Sequence, residues 1–169
     1  MNAILPPLSV LVAVFAAAVP WGLPADATFI LPLVVVMMVF CWRALHTAAL
    51  PAYAAVLLGL LTDITSGGPL GFWALMCLIA ANAGDRAPSL HDGRDIGRLW
   101  LIWSLVATGV GLIGWLLASL YFLRWIDWWP IAFGAGASIV IFPVVMHGVL
   151  WIKGGRIWPE REALFRRWT

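Results

Sequence analysis

The chain has 169 residues, the length of one domain, and 63% of them are hydrophobic while 11% are charged. Globular domains average about 45–50% apolar and about 25% charged residues, so ten basic and eight acidic side chains would leave most of a soluble surface apolar. A water-soluble fold, a disordered chain and a disulfide scaffold are thereby excluded, and the formal net charge of +2 gives no reason to expect a nucleic-acid partner.

What remains is an all-α integral membrane protein. A helical crossing takes about 20 residues, so six spans use about 120 and leave about 50 for loops. A single transmembrane domain over residues 1–169 is expected, with 153–169 as a basic cytoplasmic tail. Six apolar stretches fit this count: Ile4–Leu23, Thr28–Trp42, Ala48–Ile64, Pro69–Ala83, Leu99–Leu123 and Pro130–Ile152. The first lacks a basic n-region, because no Lys or Arg precedes Arg43, and it is longer than a signal-peptide core; it reads as a retained helix. The second and fourth are short for a full crossing; thinning of the membrane, extension into polar flanks or a partly irregular span would each accommodate them. Leu31–Phe40 does not alternate apolar with polar, which argues against transmembrane strands.

The basic residues orient the spans. With a cytoplasmic N-terminus, Arg43, Arg86, Arg94, Arg98, Lys153, Arg156, Arg161, Arg166 and Arg167 all fall inside, and Arg124 alone falls outside. Both termini are therefore expected in the cytoplasm. Tryptophans agree: Trp21, Trp125, Trp128 and Trp129 lie at predicted outer ends, and Trp42, Trp100, Trp151 and Trp158 at inner ends, as in an interfacial aromatic belt. Trp73 and Trp115 fall deeper, at positions suited to packing between helices.

Asp63 sits at the end of the third span, where an ionised carboxylate is costly unless it points into the bundle. Helical spacing places Ala52, Ala55, Gly59 and Asp63 on one side, with Leu57, Leu58 and Leu61 elsewhere. Ser66-Gly67-Gly68-Pro69 then reads as a tight turn, with Pro69 opening the next helix. Two roles fit Asp63. It caps that helix or ties down the turn, or it binds a ligand, a partner helix or an ion.

The same stretch resembles the signature of the MreD family of bacterial rod-shape proteins. The matching positions are Gly59, Leu60, Leu61, Asp63, Gly67 or Gly68, Leu70, Gly71, Ala74 and Leu75, about 17 residues in all. The resemblance implies a small subunit of the bacterial cell inner membrane belonging to the cell-elongation, peptidoglycan-synthesising machinery. It implies an MreC-type partner with one transmembrane helix and a periplasmic coiled coil, with RodA, a class-B penicillin-binding protein and the actin-like MreB nearby. It further implies a fold similar to the six-helix substrate-binding subunit of energy-coupling-factor transporters.

Other signals are structural. The G-x-G-x-x-G string Gly109–Gly114 has no preceding strand, so a dinucleotide site fails its context. Ala107, Gly111, Gly114 and Ala118 instead follow helical spacing, as do Gly134 with Ser138 and Ala132 with Gly136. Some of these faces pack inside the bundle, and one is a candidate for meeting a partner's helix. His147, alone in the last span, is read as a helix–helix hydrogen bond, and Asn82 as a local cap. Cys41 and Cys77 read as small hydrophobes. His46 and His91 fall in turns, and no two histidines have metal-ligand spacing. The charges of the 84–98 loop nearly cancel, as in a solvated turn or a docking face. Leu164, Phe165 and Trp168 beside Arg161, Arg166 and Arg167 read as an interfacial helix on anionic lipid. The expected function is a non-enzymatic scaffold with no cofactor and no metal. The rivals are a substrate-binding transport subunit, for which Asp63, Asn82 and His147 are few polar groups, and an intramembrane enzyme, for which no activated pair is evident.

Overall fold

The computed structural model describes residues 4–22, 29–45, 50–87 and 96–154, and these are entirely helical apart from turns. Six helices follow in order: α1 Leu5–Ala18, α2 Ile30–Leu45, α3 Ala52–Ser66, α4 Phe72–Arg86, α5 Ile96–Tyr121 and α6 Trp129–Gly154. Each overlaps one of the six apolar stretches. Two of them, Ile96–Tyr121 and Trp129–Trp151, are long and apolar enough to cross a membrane. Helices α1 to α4 have 14 to 16 residues, about 21–24 Å at 1.5 Å per residue. His46, His91, most of the 84–98 loop and the tail beyond Gly154 lie outside the described residues.

Helix α2 is the hub and packs against α1, α3, α4 and α6. Apart from Arg43 in its last turn, α2 consists of apolar residues. Leu33, Val36, Met37, Phe40 and Cys41 are fully buried along it. Phe40 meets Trp103 of α5 at 5.4 Å between ring centroids, and Trp103 stacks on Phe142 of α6 at 5.9 Å, so one aromatic cluster joins three helices. Trp42 is also buried, and its indole N–H donates to Ser9 Oγ of α1 at 2.8 Å. Its place in an interfacial belt is thereby corrected: it is an interhelical tie.

Helix α6 contains Pro143. Proline has no N–H, so the carbonyl four residues earlier, that of Ile139, loses its helical donor. The Trp100 indole N–H of α5 takes that place at 2.9 Å. Helix α5 ends in a Schellman motif, with Arg124 N–H donating to Ser119 O at 3.2 Å and Leu123 N–H to Leu120 O at 3.3 Å. Leu123 occupies the left-handed position usually given to glycine, with φ 50° and a side chain 88% exposed.

The two ends of the bundle are distinct. At one, the end of α1, the start of α2, the α3–α4 turn and the end of α5 surround a cavity of about 580 Å³. At the other, Arg43 of α2 donates to the Leu50 carbonyl at 2.8 Å and pairs with Asp85 of α4. Helices α2 and α4 approach closely there. A Cβ on Gly84 would lie 2.8 Å from Arg43 Cβ and 2.9 Å from Phe40 O.

Candidate functional site

The α3–α4 hairpin is built around Asp63, whose side chain is 1% exposed. Helix α3 ends with Gly67 in the left-handed region, φ 68°, its N–H donating to Asp63 O at 3.1 Å. Gly71 is the N-cap of α4, with φ 93°, a conformation that glycine adopts without strain. A glycine N-cap has no side-chain acceptor to offer the first turn of its helix. Asp63 supplies one from the preceding helix. Its Oδ2 accepts from Gly71 N–H at 2.9 Å and from Ala74 N–H at 3.4 Å, and its Oδ1 accepts from Trp73 N–H at 2.7 Å. Phe72 N–H donates to Pro69 O at 3.2 Å. Every backbone donor from Gly71 to Ala74 thus has an acceptor.

The charge is compensated by three charge-assisted hydrogen bonds and by the positive end of the α4 dipole. Of the two roles open to Asp63, this geometry is that of the cap. Helix α4 begins at Phe72 rather than at Pro69, because Pro69 belongs to the turn that the cap closes.

Gly59 makes that reach possible. A Cβ there would lie 2.5 Å from Ala74 Cα and 2.8 Å from Trp73 O, so the α3 and α4 backbones touch one helical turn below Asp63. Ala55, Gly59 and Asp63 share this buried face as the spacing predicts, but Ala52 is exposed at the start of α3, and Leu58 is buried, not turned away. The motif residues therefore divide. Gly59, Asp63, Gly67 and Gly71 shape the hairpin, Gly68 is exposed in the turn, and Leu70 projects outward, 77% exposed.

The second candidate face also divides. Ala107, Gly111 and Gly114 are buried in α5. A Cβ on Gly111 would meet Ile131 at 3.5 Å and Ala135 at 3.7 Å, and one on Gly114 would meet the Phe72 ring at 3.1 Å, so these positions serve the bundle's own packing. Ala118 borders the cavity at the end of the bundle. Gly134 and Ser138 face inward, whereas Ala132 and Gly136 face outward, and a Cβ on Gly136 would meet nothing within 4 Å. Between α5 and α6 runs an outward groove of about 540 Å³, floored by Gly111, Ala132, Ala135 and Gly136 and walled by Leu112, Trp115, Trp128 and Ile139.

His147 is exposed on α6, and its Nδ1 lies 2.7 Å from Pro143 O of the same helix. The expected helix–helix bond is corrected: a carbonyl only accepts, so the ring N–H is used locally. Asn82 likewise donates to Leu78 O of its own helix at 2.8 Å. Sequence reasoning missed the Arg43–Asp85 pair, Gly84 and the Trp100–Ile139 bond. Pro143 carried the signal for the last of these, since a proline within a helix orphans a known carbonyl. The chain has no match among protein-family models, curated proteins or solved structures.

Proposed function

We propose that this chain is a non-enzymatic membrane scaffold of MreD type, a six-span bundle in the bacterial inner membrane with both termini cytoplasmic. It binds the transmembrane helix of an MreC-type partner, and so organises peptidoglycan synthesis along the side wall, with RodA, a class-B penicillin-binding protein and MreB as further neighbours. The observation that carries this reading is the outward groove between α5 and α6, floored by Gly111, Ala132, Ala135 and Gly136. A helix in lipid gains little hydrophobic energy by leaving lipid for protein, so association depends on close packing, and small residues permit it. The groove offers such a floor between bulky walls.

The motif residues support the same reading from another side. Asp63 has its acceptor oxygens on three backbone N–H groups, a bracing role that suits a scaffold. A transporter subunit for a polar substrate fits less well, because no charged side chain stands among the described walls of the 580 Å³ cavity.

The test is co-purification of the tagged chain with an MreC-type partner, beside a version whose transmembrane helix is replaced by an unrelated apolar helix. The complex is expected with the native helix and lost with the replacement. Depletion should round the cells. Normal rods after depletion would sink the scaffold reading.

A further inference from the structure

The two hairpins differ in what they can span. Helices α3 and α4 have 15 residues each, about 22 Å at 1.5 Å per residue. Helices α5 and α6 have 26 residues each, about 39 Å. The hydrocarbon core of a bilayer is about 30 Å thick. A long helix fits it by tilting, but tilt only shortens the reach of a short one. Nor can the α3–α4 hairpin lengthen at its ends. Helix α3 starts after Pro51, whose backbone is extended, and ends at Gly67 in the left-handed region. Helix α4 starts at the Asp63 cap and ends at Arg86, beside the exposed Asp85 that pairs with Arg43. Exposed Thr65, Ser66, Gly67 and Gly68 make one end of the hairpin polar, and the ion pair makes the other so. Helix termini also leave backbone groups without intrahelical partners, and these need water. Both ends of the hairpin therefore belong in water or headgroups, about 8 Å closer together than an undisturbed hydrocarbon core allows.

We propose that this protein thins the bilayer beside α3, so that the lipid against its outer face spans a shorter distance than the lipid against α5 and α6. The proposal rests on the bundle being membrane-embedded and is independent of which partner it binds. The outer surfaces support it. Tyr53, Leu57 and Ile64 are exposed along one stripe of α3, at helical spacing. The stripe passes at one end into the exposed Thr65 and Ser66, and at the other it closes on Tyr53, a side chain suited to the headgroup zone. Helix α1 packs beside α3, has 14 residues and exposes Leu8, Val12 and Phe15, so the short face is two helices wide. On α5, exposed leucines run from Leu101 through Leu105, Leu112 and Leu116 to Leu120, about 28 Å. The apolar surface is thus tall on one side of the bundle and short on the other. Burying helix ends in hydrocarbon costs more than compressing lipid, whose penalty per ångström is small. The lipid that fits the α1–α3 face is one with shorter chains than the bulk.

The experiment measures depth on the full chain in dioleoylphosphatidylcholine vesicles. Tyr53→Cys and Ile64→Cys on α3, and Leu105→Cys and Leu116→Cys on α5, each carry a nitroxide; all four positions are exposed, and Cys41 and Cys77 are buried and stay in place. Each pair is separated by the same number of residues, about 17 Å along its helix. In a bilayer of uniform thickness, both centred pairs would lie about 7 Å inside the hydrocarbon edge. Collision of the nitroxide with a water-soluble nickel chelate, compared with oxygen, reads the depth. The chelate is expected to reach Tyr53 and Ile64 several-fold more than Leu105 and Leu116. Ala52→Cys and Thr65→Cys, at two further exposed positions of α3, should show the same and guard against a label that distorts the helix. Equal depth at all four sites overturns the proposal and leaves the membrane reading standing. One shallow and one deep site on α3 also overturns it, because α3 then sits off-centre in an unthinned bilayer. Protection of Tyr53 and Ile64 from both reagents overturns it in favour of a second copy covering α3. Chelate access at Leu105 and Leu116 overturns the membrane reading and the proposal with it.

Discussion

The α3–α4 and α5–α6 hairpins are both joined by short connections and both rich in glycine, and they use it in opposite ways. In α3–α4, Gly59 removes a side chain where two backbones meet, and Asp63 fastens the contact. In α5–α6, Gly111 packs inward at ordinary contact distances while Gly136 faces open space. The first hairpin is closed upon itself, whereas the second keeps a small-residue surface unused. Glycine spacing alone therefore does not tell an internal seam from an external face. What distinguishes them is the atom that a Cβ would meet.

The largest effect on the fold is expected at Gly59. In Gly59→Ala the new methyl would lie 2.5 Å from Ala74 Cα, a backbone atom that cannot rotate away. The helices must separate, which also lengthens the bonds from Asp63 to Trp73 and Ala74. Overpacking typically costs about 1–3 kcal/mol, and loss of hydrogen bonds adds to it, so a destabilisation of about 3 kcal/mol is expected. Thermal unfolding in detergent measures it. A wild-type midpoint for Gly59→Ala would remove the close seam from the comparison.

Asp63 comes next. Asp63→Leu deletes the acceptor for three N–H groups, two of them buried. Each buried unsatisfied group costs about 1–3 kcal/mol, less whatever water recovers by entering, so a loss of about 2–3 kcal/mol is expected. Asp63→Asn keeps one acceptor oxygen and should lose about half as much, in line with ordinary cap deletions. The ordering Leu worse than Asn is the diagnostic result in the same unfolding measurement. Equal stability of Asp63→Leu and wild type, with loss of the partner complex, would instead assign Asp63 to binding.

The legibility of these features in the sequence follows from the range of the interactions. All six helices were readable because apolar runs are local, but nothing in them marked α2 as the central one. The role of Asp63 was legible because its acceptors and donors lie 8 to 11 residues apart across one turn. The Arg43–Asp85 pair, 42 residues apart, was not, nor was the tie from Trp42 to Ser9 across 33. Such contacts depend on which helices become neighbours, and hydropathy carries no information about that. The direction of each small-residue face was open in the sequence for the same reason. Ala107, Gly111 and Gly136 look alike in sequence, and only the position of α6 against α5 separates them.

The smallest effect on stability, and the sharpest for function, is expected at Gly136. Its absent Cβ has no neighbour within 4 Å, so the Cβ of Gly136→Leu enters open space and the rest of the side chain lies in the groove. The change also removes a helical glycine, which costs about 1 kcal/mol relative to alanine in an exposed helix interior. Stability should therefore hold or rise slightly, while the leucine fills the floor of the α5–α6 groove. Gly111→Leu is the poorer probe, because Ile131 and Ala135 stand within 4 Å of that position and the hairpin itself would shift. The measurement is a pair of readings on Gly136→Leu, its unfolding midpoint and its yield of co-purified MreC-type partner. An unchanged or raised midpoint with a reduced yield locates the partner helix in the groove. An unchanged midpoint with an unchanged yield moves the partner to another face, and the contrast between the closed and the open hairpin would then concern packing alone.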